Sequence, residues 1–253
     1  MGKPTVSIIT VTQLSRVECL RNLLTFIQLQ TYENIIEWVI VEGSRLEQDA
    51  AKNQDKIREL ASQSSLNIVY LEYTGHALSD LRNSGNEACK GDIIICMDDD
   101  DYYPRERVEN AVYKLGKSKC LIAGCSNIYI YDYGSEVLYK SKKLGNNHST
   151  NNCMAFKREY LLKNTHECGL THAEEKSFTK GFTEPMVQLS SKKCIVVSSH
   201  NSNTFDKRPL LDRQNIEKNG WFKKVKTHVT EIIPTKTLEI LHSTFTNTYS
   251  DFE

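Results

Sequence analysis

Four consecutive aspartates, Asp98-Asp99-Asp100-Asp101, directly follow the apolar run Ile93–Met97. Adjacent carboxylates repel one another unless a cation lies among them. Side chains of an extended chain alternate in direction, so Asp98 and Asp100 are expected to share one face, and Asp99 and Asp101 the other. Oxygens so disposed suit a hard divalent cation, Mg²⁺ or Mn²⁺, of the kind that also holds substrate phosphates. The plainer alternative is a solvated acidic loop capping the helix that begins near Pro104. A second acidic pair, Glu174-Glu175, opens the short helix expected over Ala173–Phe178, where the helix dipole alone favours negative charge. His200 follows the last apolar strand; its imidazole suits Mn²⁺, and the alternative is a polar loop residue.

The elements around these residues alternate. Val6–Thr12 is a short β-branched run fit for a strand buried on both faces. Ser15 and Glu18 offer a capping box, and Val17, Leu20, Leu24 and Ile27 follow at helical spacing. Trp38–Val41 reads as a strand, Gln48–Ser62 as a surface helix and Asn67–Tyr73 as a strand. Leu78, Leu81, Gly85 and Ala88 give a helix with small residues on one face. Asp92–Met97 is another buried strand, and Val108, Ala111, Val112 and Leu115 form a helix that Gly116 stops. Strict alternation implies right-handed βαβ units, a mostly parallel sheet flanked by helices, and ligands beyond the carboxyl ends of its strands. Thr10–Thr12, Glu42–Ser44 and Asp98–Asp101 all fall at those ends.

The second half loses the alternation. Cys120–Tyr133 is strand-rich with Tyr129, Tyr131 and Tyr133, which read as lining one sheet face or as an aromatic platform for a ligand. A return at Val137–Tyr139, a polar loop over Lys140–Asn152, strands at Cys153–Phe156 and Cys194–Ser199, and a short helix at Arg158–Lys163 follow. Trp221-Phe222 beside Lys223-Lys224 could touch a membrane surface or pack the tail onto the domain. The 253 residues carry 32 Lys+Arg against 32 Asp+Glu. That balance excludes a cationic nucleic-acid binder. Eight scattered cysteines without a C-x-x-C pair read as reduced thiols. With no membrane-length apolar run and no signal region, the protein is expected to be cytoplasmic.

The sequence resembles family 2 glycosyltransferases, whose nucleotide-sugar-binding fold is called GT-A. The resemblance is carried by Pro4-Thr5-Val6-Ser7-Ile8-Ile9-Thr10, then Val39-Ile40-Val41-Glu42-Gly43-Ser44, then Leu81-Arg82-Asn83-Ser84-Gly85-Asn86-Glu87-Ala88, then Gly91 through Pro104. It covers about the first 110 residues and extends more weakly to near Arg208. It implies a Rossmann-like GT-A domain over 1–208, with a nucleotide-sugar half (1–116), an acceptor-side half (117–208) and a helical, packed extension at 209–253. Asp98-Asp99-Asp100 takes the D-x-D position, which implies that Asp100 binds the metal and that Asp98, with Asp99 beside it, meets metal and donor. His200 would approach the metal or diphosphate, Thr10, Thr12 and Glu42 would line the base and ribose pocket, and Arg82 would approach the diphosphate. Asn151 and Asn152 would contact the donor sugar or the acceptor.

The resemblance also implies a general base in Glu174-Glu175, with Glu175 as the base itself. The family more often carries Asp at the positions of Glu42 and Glu175. The activity implied is metal-dependent, inverting sugar transfer from a nucleotide-diphosphate donor to a hydroxyl acceptor, most naturally a glycan. Two enzyme-free alternatives stand beside it: a degenerate domain that binds nucleotide or glycan, and an acidic Ca²⁺ module. A nucleotidyltransferase is opposed by the lack of a Gly-rich phosphate loop with an adjacent Lys.

Overall fold

A computed structural model describes residues 2–13, 16–44, 47–201, 203 and 205–246. The first half is built from β1 (Val6–Gln13), α1 (Val17–Gln28), β2 (Ile35–Ser44), α2 (Glu47–Ser62), β3 (Asn67–Thr74), α3 (Leu78–Ala88), β4 (Ile93–Cys96) and α4 (Arg107–Gly116). Ser15, expected to cap α1, lies outside the described residues. The second half adds β5 (Ile122–Gly124), β6 (Tyr129–Asp132), β7 (Val137–Ser141), β8 (Ala155–Lys157), α5 (Glu175–Phe178), β9 (Met186–Gln188) and β10 (Val196–Ser199). It closes with α6 (Arg208–Leu211), α7 (Arg213–Asn219), β11 (Phe222–Lys224) and α8 (Thr235–Thr246).

Seven strands form one sheet in the order β3-β2-β1-β4-β8-β5-β9, and four form a second in the order β10-β6-β7-β11. The first four strands of the large sheet are parallel, whereas β8 enters antiparallel to both β4 and β5. Alternate residues of each strand feed separate cores. Ile8, Trp38, Ile40 and Ile95 pack with Leu20, Leu23 and Leu115 on one face. Ile9, Val41, Ile94 and Cys96 pack with Leu81 on the other. Burial on both faces explains why these strands read as continuous apolar runs. Gly85 makes the second face possible, because a Cβ there would lie 2.5 Å from Ile9 Cδ1 and 2.8 Å from Val41 Cγ2.

Parallel register brings the expected residues to one edge. Ile9 pairs with Cys96 and Thr12 with Glu42, so the ends of β1, β2 and β4 open side by side. The small sheet joins this edge through β10, whose Val196 bridges Tyr102 just after the aspartates. No helix among the described residues is long and apolar enough to cross a membrane.

Candidate active site

The strand before the aspartates ends at Cys96, and Asp99 and Asp100 lie in a turn. The expected alternation of an extended chain is therefore replaced by a fold-back that gives each carboxylate its own partners. Asp99 is buried, accepting from Thr12 Oγ1 at 2.6 Å and from Arg16 Nη1 at 2.8 Å. Asp101 turns the other way, accepting from the Ser198 amide at 2.8 Å and from Asn152 Nδ2 at 2.7 Å. It thereby ties the aspartate turn to the small sheet. Asp100 Oδ2 accepts from Arg16 at 2.9 Å and from Asn203 Nδ2 at 3.0 Å, with His200 Nε2 at 3.5 Å. Asp98 Oδ1 receives both terminal nitrogens of Arg82 at 3.2 Å.

Arg82 extends the cluster across the edge. Its Nε donates to Glu174 Oε1 at 2.8 Å, so one buried guanidinium links the D-x-D turn to the start of α5. Thr10 is placed differently from expectation. Its hydroxyl is fully buried, donating to Met97 O at 2.8 Å and accepting from Trp38 Nε1 at 2.9 Å, so it fastens the sheet and does not line an opening. Glu42 is also buried and accepts from the Tyr70 hydroxyl. Asn152 has its side chain committed to Asp101 and Thr150. Its neighbour Asn151 is buried with neither amide atom hydrogen-bonded among the described residues.

His200 is held on several sides. Its amide donates to Asn203 Oδ1 at 2.8 Å, Asn203 Nδ2 lies 2.9 Å from its Nε2, and Phe245 of α8 stacks on its ring at 4.0 Å. The same helix covers Tyr131 and Tyr133 through His242 and Phe245, so these tyrosines pack under α8 and present no sugar-stacking face. His172 is exposed and bonds to its neighbour Thr171.

The charges are unevenly compensated. Burial would raise the Asp100 pKa, but Arg16, His200 and Lys207 outweigh it and hold the carboxyl well below the usual range. Burial pushes Asp99 up to about 7, opposed by Arg16 and reinforced by Asp100. Asp98 is raised by burial against the pull of Arg82, and Asp101 is raised by burial and by Asp100. In the second acidic pair, Arg82 outweighs burial and lowers the Glu174 pKa, whereas burial and the Glu174 charge raise that of Glu175.

Fit to a divalent cation can be tested on the oxygens. Among the described residues, Asp98 Oδ2 and Asp100 Oδ1 accept no hydrogen bond, while both oxygens of Asp99 and of Asp101 are engaged. The free pair belongs to the first and third aspartates. No group of three or more His, Cys, Asp or Glu side chains among the described residues is disposed to hold a metal ion. A divalent cation bound at this edge would take one or two carboxylates from the chain, with water and substrate phosphates completing its shell. Sequence reasoning missed Arg16, Tyr70, Tyr103 and Phe245. Arg16 carried a usable signal, since a cation at a helix N-terminus opposes the dipole and calls for nearby carboxylates. Tyr103, whose hydroxyl accepts from the Asp98 amide at 2.6 Å, lay inside the matching block.

These features define a GT-A glycosyltransferase fold with an acidic, Arg-bridged edge. The family model described as glycosyl transferase family 2 matches residues 7–173, and the chain belongs to that family. No curated protein sequence matches it. Among solved structures it is similar to the mannosyltransferase PcManGT from Pyrobaculum calidifontis in complex with GDP-Man and Mn²⁺, at 16% identity and TM-score 0.61, over 80% of this chain and 59% of that one. It is also similar to S. aureus TarS 1-349, at 15% identity and TM-score 0.57, over 77% of this chain and 60% of that one. The same TarS fragment in complex with UDP-GlcNAc matches with TM-score 0.52 at 15% identity, over 79% and 60% of the two chains. The chain spans about three fifths of the length of these solved chains.

Proposed function

We propose that this protein is a metal-dependent, inverting glycosyltransferase that moves a sugar from a nucleotide-diphosphate donor to a hydroxyl acceptor, most naturally on a glycan. The observation that carries the proposal is the Arg82 bridge, which fixes the acidic pair of α5 against the aspartate turn. Asp98 Oδ2 and Asp100 Oδ1 would hold the cation, and His200 Nε2 lies 3.5 Å from the other oxygen of Asp100. A divalent cation held there would offset the charge that develops on the departing nucleotide diphosphate.

Inversion requires a base on the face of the sugar opposite the leaving group. Glu175 is that base, because its neighbour Glu174 is consumed by Arg82 and Glu175 forms no such pair among the described residues. It takes the acceptor hydroxyl's proton as the new glycosidic bond forms and the bond to the diphosphate breaks. Arg82 keeps Glu174 and Asp98 as fixed walls and adds positive charge beside the diphosphate. Thr12, Asp99, Glu42 and Asn152 shape the donor side, Glu42 through Tyr70 and Asn152 through Asp101.

The test is a screen of UDP-, GDP- and dTDP-sugars for Mn²⁺-dependent donor hydrolysis, with Asp100→Asn and Glu175→Gln as controls. One donor is expected to be consumed, with loss of turnover in Asp100→Asn. If no donor is bound or consumed in the presence of metal, the proposal fails. If Glu175→Gln retains full transfer to an acceptor, the base is another residue.

A further inference from the structure

Trp221 stands at the outer edge of the small sheet and is 52% exposed, and Leu144 lies two residues past Lys142 with 42% exposure. The Lys142 amide donates to Trp221 O at 2.7 Å, so the two segments are in contact. Gly220, in the left-handed region at φ 58°, ends α7 and turns the chain into β11. Lys142-Lys143 and Lys223-Lys224, distant in sequence, lie on either side of the Phe222–Ser141 pair along this edge, because β11 runs antiparallel to β7. Lys142, Lys143, Lys223 and Lys224 are exposed. None of the four makes an ion pair among the described residues.

Lys223 also lies directly opposite Lys140, a like-charge pairing that costs stability. Lys140 relieves part of this by sitting over the Tyr129 ring at 4.7 Å. Lysines on an edge strand discourage pairing with another sheet, which would account for Lys223 and Lys224 alone. It does not account for an exposed Trp and Leu beside them, since apolar groups on an edge undo that protection. An anionic occupant satisfies the lysines. A soluble polyanion would leave Leu144 in water, whereas a bilayer offers both anionic head groups and an apolar layer beneath them. Indoles are placed at such boundaries because one end is apolar and the other polar.

We propose that this edge docks on an anionic phospholipid bilayer, with Lys142, Lys143, Lys223 and Lys224 at the head groups and Trp221 and Leu144 in the interfacial layer. Docking leaves the aspartate edge clear. In the sheet order β10-β6-β7-β11, β10 runs parallel to β11, so His200 lies at the carboxyl end and Trp221 at the amino end.

The protein carries its own reporter, since of its two tryptophans Trp38 is fully buried and Trp221 is exposed. Phosphatidylcholine vesicles with and without phosphatidylglycerol are titrated into the full chain, following tryptophan emission and co-sedimentation. Anionic vesicles are expected to shift the emission to the blue and to sediment the protein, with both effects lost at high salt. Trp221→Phe is expected to lose the shift while retaining sedimentation. The double substitution Lys223→Gln, Lys224→Gln should weaken binding about thirtyfold. Unchanged Trp38 emission verifies that this variant is folded. Absence of binding, equal binding to neutral vesicles, or full binding by the folded double variant would each overturn the proposal. So would soluble polyphosphate that shifts Trp221 emission as far as vesicles do, which would make the surface a polyanion receptor.

Discussion

Glu174 and Glu175 are neighbours in sequence with opposite surroundings: Arg82 Nε sits 2.8 Å from the first, while burial raises the pKa of the second. A general base works only when ionised, so a raised pKa moves the loss of activity to higher pH. Transfer is therefore expected to fall in acid with a midpoint above the ordinary glutamate value. Glu175→Gln should lose a factor of about 10²–10⁴ in kcat together with that acid limb. A kcat profile against pH checks this, and a limb below the ordinary carboxylate range would point to Glu174. The acidic pair and the aspartate run were both legible in the sequence. The guanidinium joining them was not legible as a bridge, because Arg82 and Glu174 are brought together only by the packing of α3 against the α5 segment. Thr10 was misplaced for a related reason. It lies within β1, three residues before the strand ends at Gln13, and its side chain faces Trp38 and the core.

At the scale of elements, long periodic segments were readable and short ones were not. α1 and α3 follow from apolar spacing that repeats over two or more turns, and β1 from an apolar run long enough to be a strand buried on both faces. β9 and β11 have three residues each, too few to display a period, and they exist because β5 and β7 supply partners. The helix α3 also shows how one small residue fixes an interface. Gly85→Ala is expected to destabilise the fold by about 1–3 kcal/mol through overpacking against Ile9 and Val41. Denaturant unfolding with an unchanged m value would measure it. The tail was expected to be helical. Not legible was that α8 reaches back over the aspartate edge, where Phe245 stacks on His200 and Thr244 accepts from Asn22 Nδ2 at 2.9 Å.

For the whole molecule, a formal net charge of zero balances 32 basic against 32 acidic residues and conceals local clusters. Asp98–Asp101 and Glu174-Glu175 gather beyond the carboxyl ends of the strands, and Lys142, Lys143, Lys223 and Lys224, unpaired among the described residues, lie at the outer edge of the small sheet. Cation binding at the first edge should register in global stability. Mn²⁺ with a nucleoside diphosphate at about 100 times Kd adds about 2.7 kcal/mol. For a chain of this size that is about 5–10 °C in Tm. Asp100→Asn is expected to abolish the shift in a thermal melt and, by removing the charge that pairs with Arg16, to lower the metal-free Tm as well. The position of β8 bears on how such a molecule is made. β8 pairs with β4 on one side and β5 on the other, closing the sheet with residues 155–157. While a ribosome has delivered only the first half, β4 has an open edge and nothing to pair with it. The sheet cannot close until the chain has passed Lys157, so the nascent first half is the stage most exposed to aggregation and most in need of a chaperone.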